Sequence, residues 1–397
     1  MAGAVLMDVL RFSIATVTYY WRRSLLLTLC VAMAVFVPLT PYLLVRRAAS
    51  TLEQRAASTP LMLAAAGSKT DVTLSALYFD GRKHTIMTMG EVMAVDRQRA
   101  EAIPLHMRFS TSGVAIVGTT EAYYKHRGLE LDEGAFSRRY GDCVLGAAAA
   151  RKLGVSPGEY LTSDPKTIFN LTADYPLRIR VTGVLSPSDS PDDDVVFVSM
   201  ETAWIMDGIG HGHFQQPSAT DGSDQNESAQ EATPPGSSSE KLHLEITNEN
   251  IGAFHFHGRR EDYPVTACII VPTDTRAETL LIGQYSARTD AKVMLIEPLS
   301  VIRRLLASVL RVRNLVLAGL SLVTGACILL VVFVFLLTFR LRQNEFDTLR
   351  KIGASTRQMS GMILVEMGVV LTTGATIGLA LTWLMGRFDQ ILLRWLI

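Results

Sequence analysis

Three apolar runs without a single charge limit what this chain can become. "SLLLTLCVAMAVFVPLTPYLLV" covers Ser24–Val45, "NLVLAGLSLVTGACILLVVFVFLLTF" covers Asn314–Phe339, and "MGVVLTTGATIGLALTWLMG" covers Met367–Gly386. Each reaches the roughly 20 residues a helix needs to cross about 30 Å of hydrocarbon. The expected fold is therefore a membrane protein with three α-helical spans. Composition agrees: 48% of the 397 residues are hydrophobic, and mean hydropathy is +0.24. Net charge is zero, which leaves no global field for nucleic acid or an acidic partner.

The first run is not read as a cleaved leader. The segment before it, "MDVLRFSIATVTYYWRRS", mixes aromatics and arginines, and no small-residue cleavage site follows the run cleanly. Residues 1–23 are expected to form an amphipathic helix at the cytoplasmic interface. Orientation follows from the second loop, where Arg340, Arg342, Arg350, Lys351 and Arg357 fall within residues 340–359. Short basic loops stay in the cytoplasm. At the first span the rule is silent, because Arg22 and Arg23 face Arg46 and Arg47. The layout expected is a span at 24–45, an extracytoplasmic domain at 46–313, a span at 314–339, a cytoplasmic elbow at 340–359, a span at 360–386 and an outer tail at 387–397. The tail is too short to cross, so a separate small helix on the outer surface or against the spans is expected.

The extracytoplasmic segment is long enough for one or two folded domains and reads as mixed α/β. "RFSTSGVAIVGT", "YPLRIRVTGVL", "DDVVFVS" and "VTACIIVP" are β-branched runs between turn formers, and so strands. "MGEVMAVDRQ", "LGAAAARKLGV", "METAWIM" and "TRAETLLIGQYS" read as helices, with Gly154 as a C-cap. "SPDDD", ending at Asp194, reads as a capped turn before the next strand. Gln215–Lys241 is dominated by Ser, Pro, Gly, Gln and acids and has almost nothing apolar to bury, so a disordered insertion is expected at 215–241. Cys143 and Cys268 are candidates for pairing in an exported domain, whereas Cys30 and Cys327 lie inside spans.

Catalytic chemistry is not evident. "AAAGSKTD" lacks the Gly-Lys-Ser/Thr order of a phosphate-binding loop, and no Gly-x-Ser-x-Gly elbow occurs. The chain is read as no enzyme. His211, His213, His243, His255 and His257 flank the insertion. Residues two apart on a strand face one side, so "HGH" and "FHFH" each offer two imidazoles to zinc or copper.

In the 340–359 loop, Phe346, Leu349 and Ile352 form an apolar stripe on a helix continuing the second span. Gly353 fits a left-handed helix end, and Ser355 precedes Gln358 by capping-box spacing. The result is a rigid elbow between two spans. Glu366 is the lone charge near the third span and is expected to snorkel or to pair with an elbow arginine.

"NEFDTLRKIGASTRQMSGMILVE" resembles the signature of the FtsX-like permease family of ABC transporters, on Glu345, Leu349, Arg350, Gly353, Ala354, Ser355, Arg357 and Glu366. "STPLMLAAAGSKTDVTLSALYF", "GDCVLGAAAARKLGVSPGEYL" and "LRIRVTGVLSPSDSPDDDVVFVS" are similar to stretches of the MacB-like periplasmic core. The likeness covers most of the chain except 215–241. It implies a multi-pass permease of the cell inner membrane, with the elbow as a coupling helix seated in a separate ABC ATPase. ATP and magnesium are then handled by a homodimer of that ATPase. A second permease copy or paralogue, and a membrane-fusion protein or lipoprotein, are the other implied partners. "RRAASTLEQRAAS" and "PLSVIRRLLASVLRVRN" are expected to extend the first and second spans outward as stalks. Family members usually carry a fourth span, and three expectations follow here: a naturally short copy, a truncated sequence, or a helix supplied by a partner. Two other readings fit the same residues: an FtsX-like signalling scaffold that regulates an outer enzyme, and a metal-responsive receptor using the histidines.

Overall fold

The computed structural model describes residues 11, 15–79, 85–137, 139–165, 176–212, 244–247, 250–288, 292–351, 353 and 355–396. The insertion expected at 215–241 and most of residues 1–14 lie outside these. The chain divides into a helical unit, Met1–Glu53 with Arg303–Ile397, and an α/β unit, Gln54–Ile302.

In the helical unit, three helices among the described residues are long and apolar enough to cross a membrane. The first runs Trp21–Ala57, the second Pro298–Leu341 and the third Thr356–Leu396. At 1.5 Å per residue the first two are about 55 and 65 Å long, well beyond the roughly 30 Å of hydrocarbon. The surplus lies in the polar stretches expected to serve as stalks. The third differs from expectation at its end. It continues to Leu396 without a separate tail helix, and no proline or glycine follows Gly386 to stop it.

The first and third helices run parallel and touch along their length. Arg23 pairs with Glu366, Thr40 Oγ1 lies 3.5 Å from Thr382 Oγ1, and Arg47 Nη1 donates to the Gly386 carbonyl at 2.9 Å. These pairs are separated by 343, 342 and 339 residues in sequence, a nearly constant offset that only parallel helices give. Gly374 and Gly378 permit the approach. A Cβ at Gly374 would sit 2.6 Å from the Val31 Cβ, and one at Gly378 would sit 2.7 Å from the Ala32 carbonyl oxygen. This is a Gly-x-x-x-Gly contact, where small residues let helix backbones close up in lipid. The second helix adds Val331 and Phe335, which pack with Leu27 and Val370.

The α/β unit is built on a mixed sheet of eleven strands among the described residues. The long strand Ala100–Thr111 lies at its middle. On one side it is followed by Ala267–Pro272, Leu61–Ala65 and Val293–Ile296, all antiparallel. On the other come Val114–Thr119, Val196–Ser199, Asp142–Leu145 and Leu177–Leu185. The sequence alternation of "LRIRVTGVL" appears directly as alternating burial, because one strand face meets the core. Leu61–Ala65 is buried throughout.

Two hydrophobic clusters fill the two halves, one around Leu63, Ile270, Leu281 and Trp204, the other around Ile116, Leu145, Ile179 and Val198. Cys268 belongs to the first and Cys143 to the second, and both are free. The disulfide considered from sequence is thus absent. Each thiol is a buried packing residue, pushed above its ordinary pKa by desolvation.

Local readings largely hold. Helices span Thr275–Ser286 and Met200–Met206, and Ala147–Leu153 ends on Gly154 in the left-handed region. "RFSTSGVAIVGT" is a hairpin instead of one strand. Ser112 and Gly113, both at positive φ, make the two-residue turn such hairpins favour. The helix in "MGEVMAVDRQ" stops at Met93, and Asp96 Oδ1 then accepts the Gln98 N–H at 2.9 Å in a side-chain turn. "GSKT" caps a helix: Ser68 Oγ accepts the Asp71 N–H at 3.3 Å, starting Lys69–Tyr78.

Candidate coupling site

The elbow is a helix, a break and a new helix. Glu345, Leu349 and Arg350 lie on the short helix Gln343–Lys351. The second long helix does not run into it smoothly, because the chain turns at Arg342, the residue whose guanidinium donates to Glu366 Oε2 at 3.2 Å. Gly353 adopts φ 101° and nothing lies within 4 Å of where its Cβ would stand. Backbone conformation, not crowding, is what calls for glycine here. Ser355 and Gln358 cap the third helix reciprocally. The Ser355 N–H donates to Gln358 Oε1 at 2.8 Å, and the Gln358 N–H donates to Ser355 Oγ at 3.3 Å. Arg357 sits in the first turn of that helix. Ala354 and Ile352 lie outside the described residues.

Glu366 joins all three long helices. Its carboxylate takes Arg23 from the first, Arg342 from the end of the second, and itself belongs to the third. It is 6% exposed. The Tyr20 ring centre lies 5.4 Å from the Arg23 guanidinium and 5.7 Å from that of Arg342, so one aromatic ring attends both cations. Sequence reasoning foresaw an elbow arginine as partner and missed Arg23, which no spacing rule connects to Glu366. Two cations on one acid hold the elbow base to the start of the first helix.

A second set of buried charges lies in the α/β unit, on the last turns of the helix Trp21–Ala57. Arg55 Nη1 donates to Asp192 Oδ2 at 2.6 Å and Nη2 to Asp192 Oδ1 at 2.9 Å, a bidentate fork. The Tyr123 hydroxyl donates to Asp192 Oδ1 at 2.5 Å, and Arg55 Nε donates to the Leu77 carbonyl at 3.3 Å. Burial pushes the Asp192 carboxyl up, but the Arg55 guanidinium and the hydrogen bonds from Arg55 and Tyr123 outweigh it and hold the group below the usual carboxylate range. Burial raises the Tyr123 phenol far above its ordinary value. Next to this fork, Arg127 Nη1 donates to Ser58 Oγ at 2.6 Å and Nη2 to Thr59 Oγ1 at 2.7 Å. The helix end is thus gripped by charge at its final turn. "SPDDD" is the capped turn expected, a 3₁₀ turn at Pro191–Asp194 with Ser190 as cap. What sequence did not reveal is that its first aspartate is buried against an arginine 137 residues away.

The histidines are partly brought together. His211 on Gly210–Gly212 stands opposite His255 on Phe254–Phe256 in an antiparallel pair. The rings of His255 and His257 lie 4.6 Å apart. His213 and His243 fall outside the described residues. Among the described residues no group of three His, Cys, Asp or Glu side chains is placed to hold a metal ion.

The MacB-like periplasmic core domain family matches residues 24–234, more than half the chain, and the FtsX-like permease C-terminal family matches residues 315–393. The chain belongs to the MacB/FtsX-like permease family. Solved structures give weaker likenesses. The periplasmic region of MacB from Actinobacillus actinomycetemcomitans is 13% identical at a TM-score of 0.35, covering 62% of this chain and 93% of that one. The extracellular domain of the noncanonic ABC-type transporter YknZ from Gram-positive bacteria is 12% identical at 0.31, covering 59% and 98%. A domain of a putative permease from Porphyromonas gingivalis is 12% identical at 0.25, covering 54% and 78%. No curated protein matches. As a MacB/FtsX-like permease, this is a multi-pass membrane protein with a large extracytoplasmic domain, and the family implies an ABC ATPase as partner.

Proposed function

We propose that this permease converts ATP hydrolysis by a separate ABC ATPase into movement of its extracytoplasmic α/β domain, and so exports or extracts a substrate on the outer side. The elbow, residues 340–359, is the surface on which the ATPase pushes, with Glu345 and Arg350 as its charged contacts. The N-terminus and elbow lie in the cytoplasm and the inner membrane holds the spans. Two permease chains act with two ATPases.

The observation that supports this reading best is the three-way tie at Glu366. A displaced elbow moves Arg342, and the shared carboxylate hands that movement to Arg23 at the base of the first long helix. The parallel first and third helices put both bases at the same end, as the proposed topology requires. In this reading the first helix, which carries Pro38 and Pro41 within its length, passes the displacement toward Arg55, whose guanidinium forks onto buried Asp192.

The test is co-expression with the candidate ATPase. Wild-type permease is expected to co-purify with it and stimulate its turnover. The pair of changes Glu345→Ala and Arg350→Ala is expected to abolish stimulation while membrane insertion stays intact. Normal stimulated turnover in that variant contradicts the coupling role.

A further inference from the structure

Charge is present at both ends of the helical unit, but the two ends are balanced differently. At the elbow end, Glu366 accepts Arg23 and Arg342. At the opposite end, Arg46 and Arg47 follow the first apolar run, Arg311 and Arg313 precede the second, and Arg387 follows the third. Contacts anchor three of these at one end of the helices. The Arg313 guanidinium lies 5.6 Å from the Tyr42 ring centre, Arg47 reaches the Gly386 carbonyl, and the Arg387 guanidinium lies 4.6 Å from the Trp383 ring centre. Tyr42 and Arg47 are separated by about 7.5 Å of helical rise, close to the depth of one headgroup region.

The described side chains of this layer include no acid, and Asp389, two residues after Arg387, lies outside them. Ion pairs within the helical unit, among the described residues, are Arg23–Glu366, Arg342–Glu366 and the 4.0 Å contact Arg303–Glu53. Arg46, Arg311, Arg313 and Arg387 belong to none of them, and Arg313 donates instead to the neutral Asn314 Oδ1, from Nη2 at 2.9 Å and Nε at 3.3 Å. Arginine at the outer ends of spans also runs against the charge bias that keeps basic residues in the cytoplasm, so these side chains call for a compensating anion. Their chemistry narrows its identity. A guanidinium presents a planar fork matched to phosphate oxygens. The Tyr42 and Trp383 rings hold two of the forks at the level where aromatic belts meet headgroups.

We propose that this rim, centred on Arg311, Arg313 and Arg387, binds the phosphate of an anionic membrane lipid in the extracytoplasmic leaflet. The site lies at the far end of the helices from the elbow and stands whether or not an ATPase drives the protein. A lipid phosphate there neutralises arginines from the second and third helices at once and so bridges two spans.

The experiment uses the full chain in phosphatidylcholine nanodiscs containing a minority of phosphatidylglycerol, with co-purified lipid counted by native mass spectrometry. Wild type is expected to enrich phosphatidylglycerol over phosphatidylcholine, and the enrichment is expected to fall as salt rises. Each basic residue near an anionic surface is worth roughly five-fold in binding. The triple change Arg311→Gln, Arg313→Gln, Arg387→Gln is therefore expected to lower affinity on the order of 100-fold. The corresponding triple lysine variant, which keeps the charge but loses the fork, is expected to lose less enrichment than the glutamine variant. Enrichment insensitive to salt in the wild type overturns the proposal without any variant. So do equal retention of the two lipids, unchanged enrichment in the glutamine variant, and equal losses in the lysine and glutamine variants. Excess inorganic phosphate that displaces the lipid completely shows a free-anion site and overturns the lipid assignment.

Discussion

Removing Asp192 tests whether the outer domain holds the first long helix through charge. The carboxylate receives two bonds from Arg55, one from Tyr123, and one from Ser190 Oγ at 2.8 Å, and Asp192 is 1% exposed. Replacing it with alanine leaves the Arg55 guanidinium buried without its anion. Breaking a buried pair in this way costs about 3–5 kcal/mol, which at about 1.4 kcal/mol per tenfold is a factor of hundreds to thousands. The local readout is hydrogen exchange in the full chain at the amides that close the helix. Ser58 N–H donates to the Gln54 carbonyl at 3.0 Å and Thr59 N–H to the Ala56 carbonyl at 3.1 Å. Asp192→Ala is expected to accelerate exchange there by about two to three orders of magnitude, while a peptide from the apolar run 24–45 keeps its rate. The paired change Arg55→Met with Asp192→Leu removes both charges together and is expected to cost less than either single change. Acid provides an independent check. The folded-state pKa of Asp192 is depressed, so its stabilisation is complete above the ordinary carboxyl value of about 3.9 and fades as pH falls through the lower folded value. Exchange in the alanine variant within tenfold of wild type, or a paired variant as damaged as the two singles combined, refutes the clamp.

Two further outcomes follow from the helical unit. Gly378→Ile places a branched side chain where a Cβ alone would meet the Ala32 carbonyl at 2.7 Å and the Val35 Cβ at 3.0 Å. An overpacking loss of about 1–3 kcal/mol is expected, read as a lower unfolding midpoint in detergent micelles, whereas the same change at Gly319, with nothing within 4 Å, is expected to leave it in place. Glu366→Gln deprives two guanidinium groups of one carboxylate and is expected to lower the midpoint more than Arg23→Gln, which leaves Arg342 paired. Equal losses would show that the carboxylate is not shared.

Features set by neighbours in sequence were legible, and those set by distant partners were not. The capping box at Ser355 and Gln358, the left-handed Gly353 and Gly154, the alternation of Leu177–Leu185 and the turn in "SPDDD" each depend on a few adjacent residues, whose chemistry dictates the local backbone. The spans were readable for the same reason, since bilayer thickness fixes their length. Arg55 with Asp192, and Arg23 with Glu366, lie 137 and 343 residues apart. An isolated arginine in "STLEQR" and an isolated acid in "SPDDD" look like solvated charges until the fold buries both. The hairpin misread as one strand has the same origin. Ser112 takes a positive φ that serine seldom adopts, and only the strand pairing on either side imposes it.

The placement of these ties follows from the solvent around each part of the helices. Within the hydrocarbon, water expulsion offers no advantage to apolar helices, so the first and third spans are joined by close packing at Gly374 and Gly378. That contact is specific in register and contains no charge. At the elbow end and at the Arg55 end, ion pairs become affordable, since each carboxylate is met by several donors.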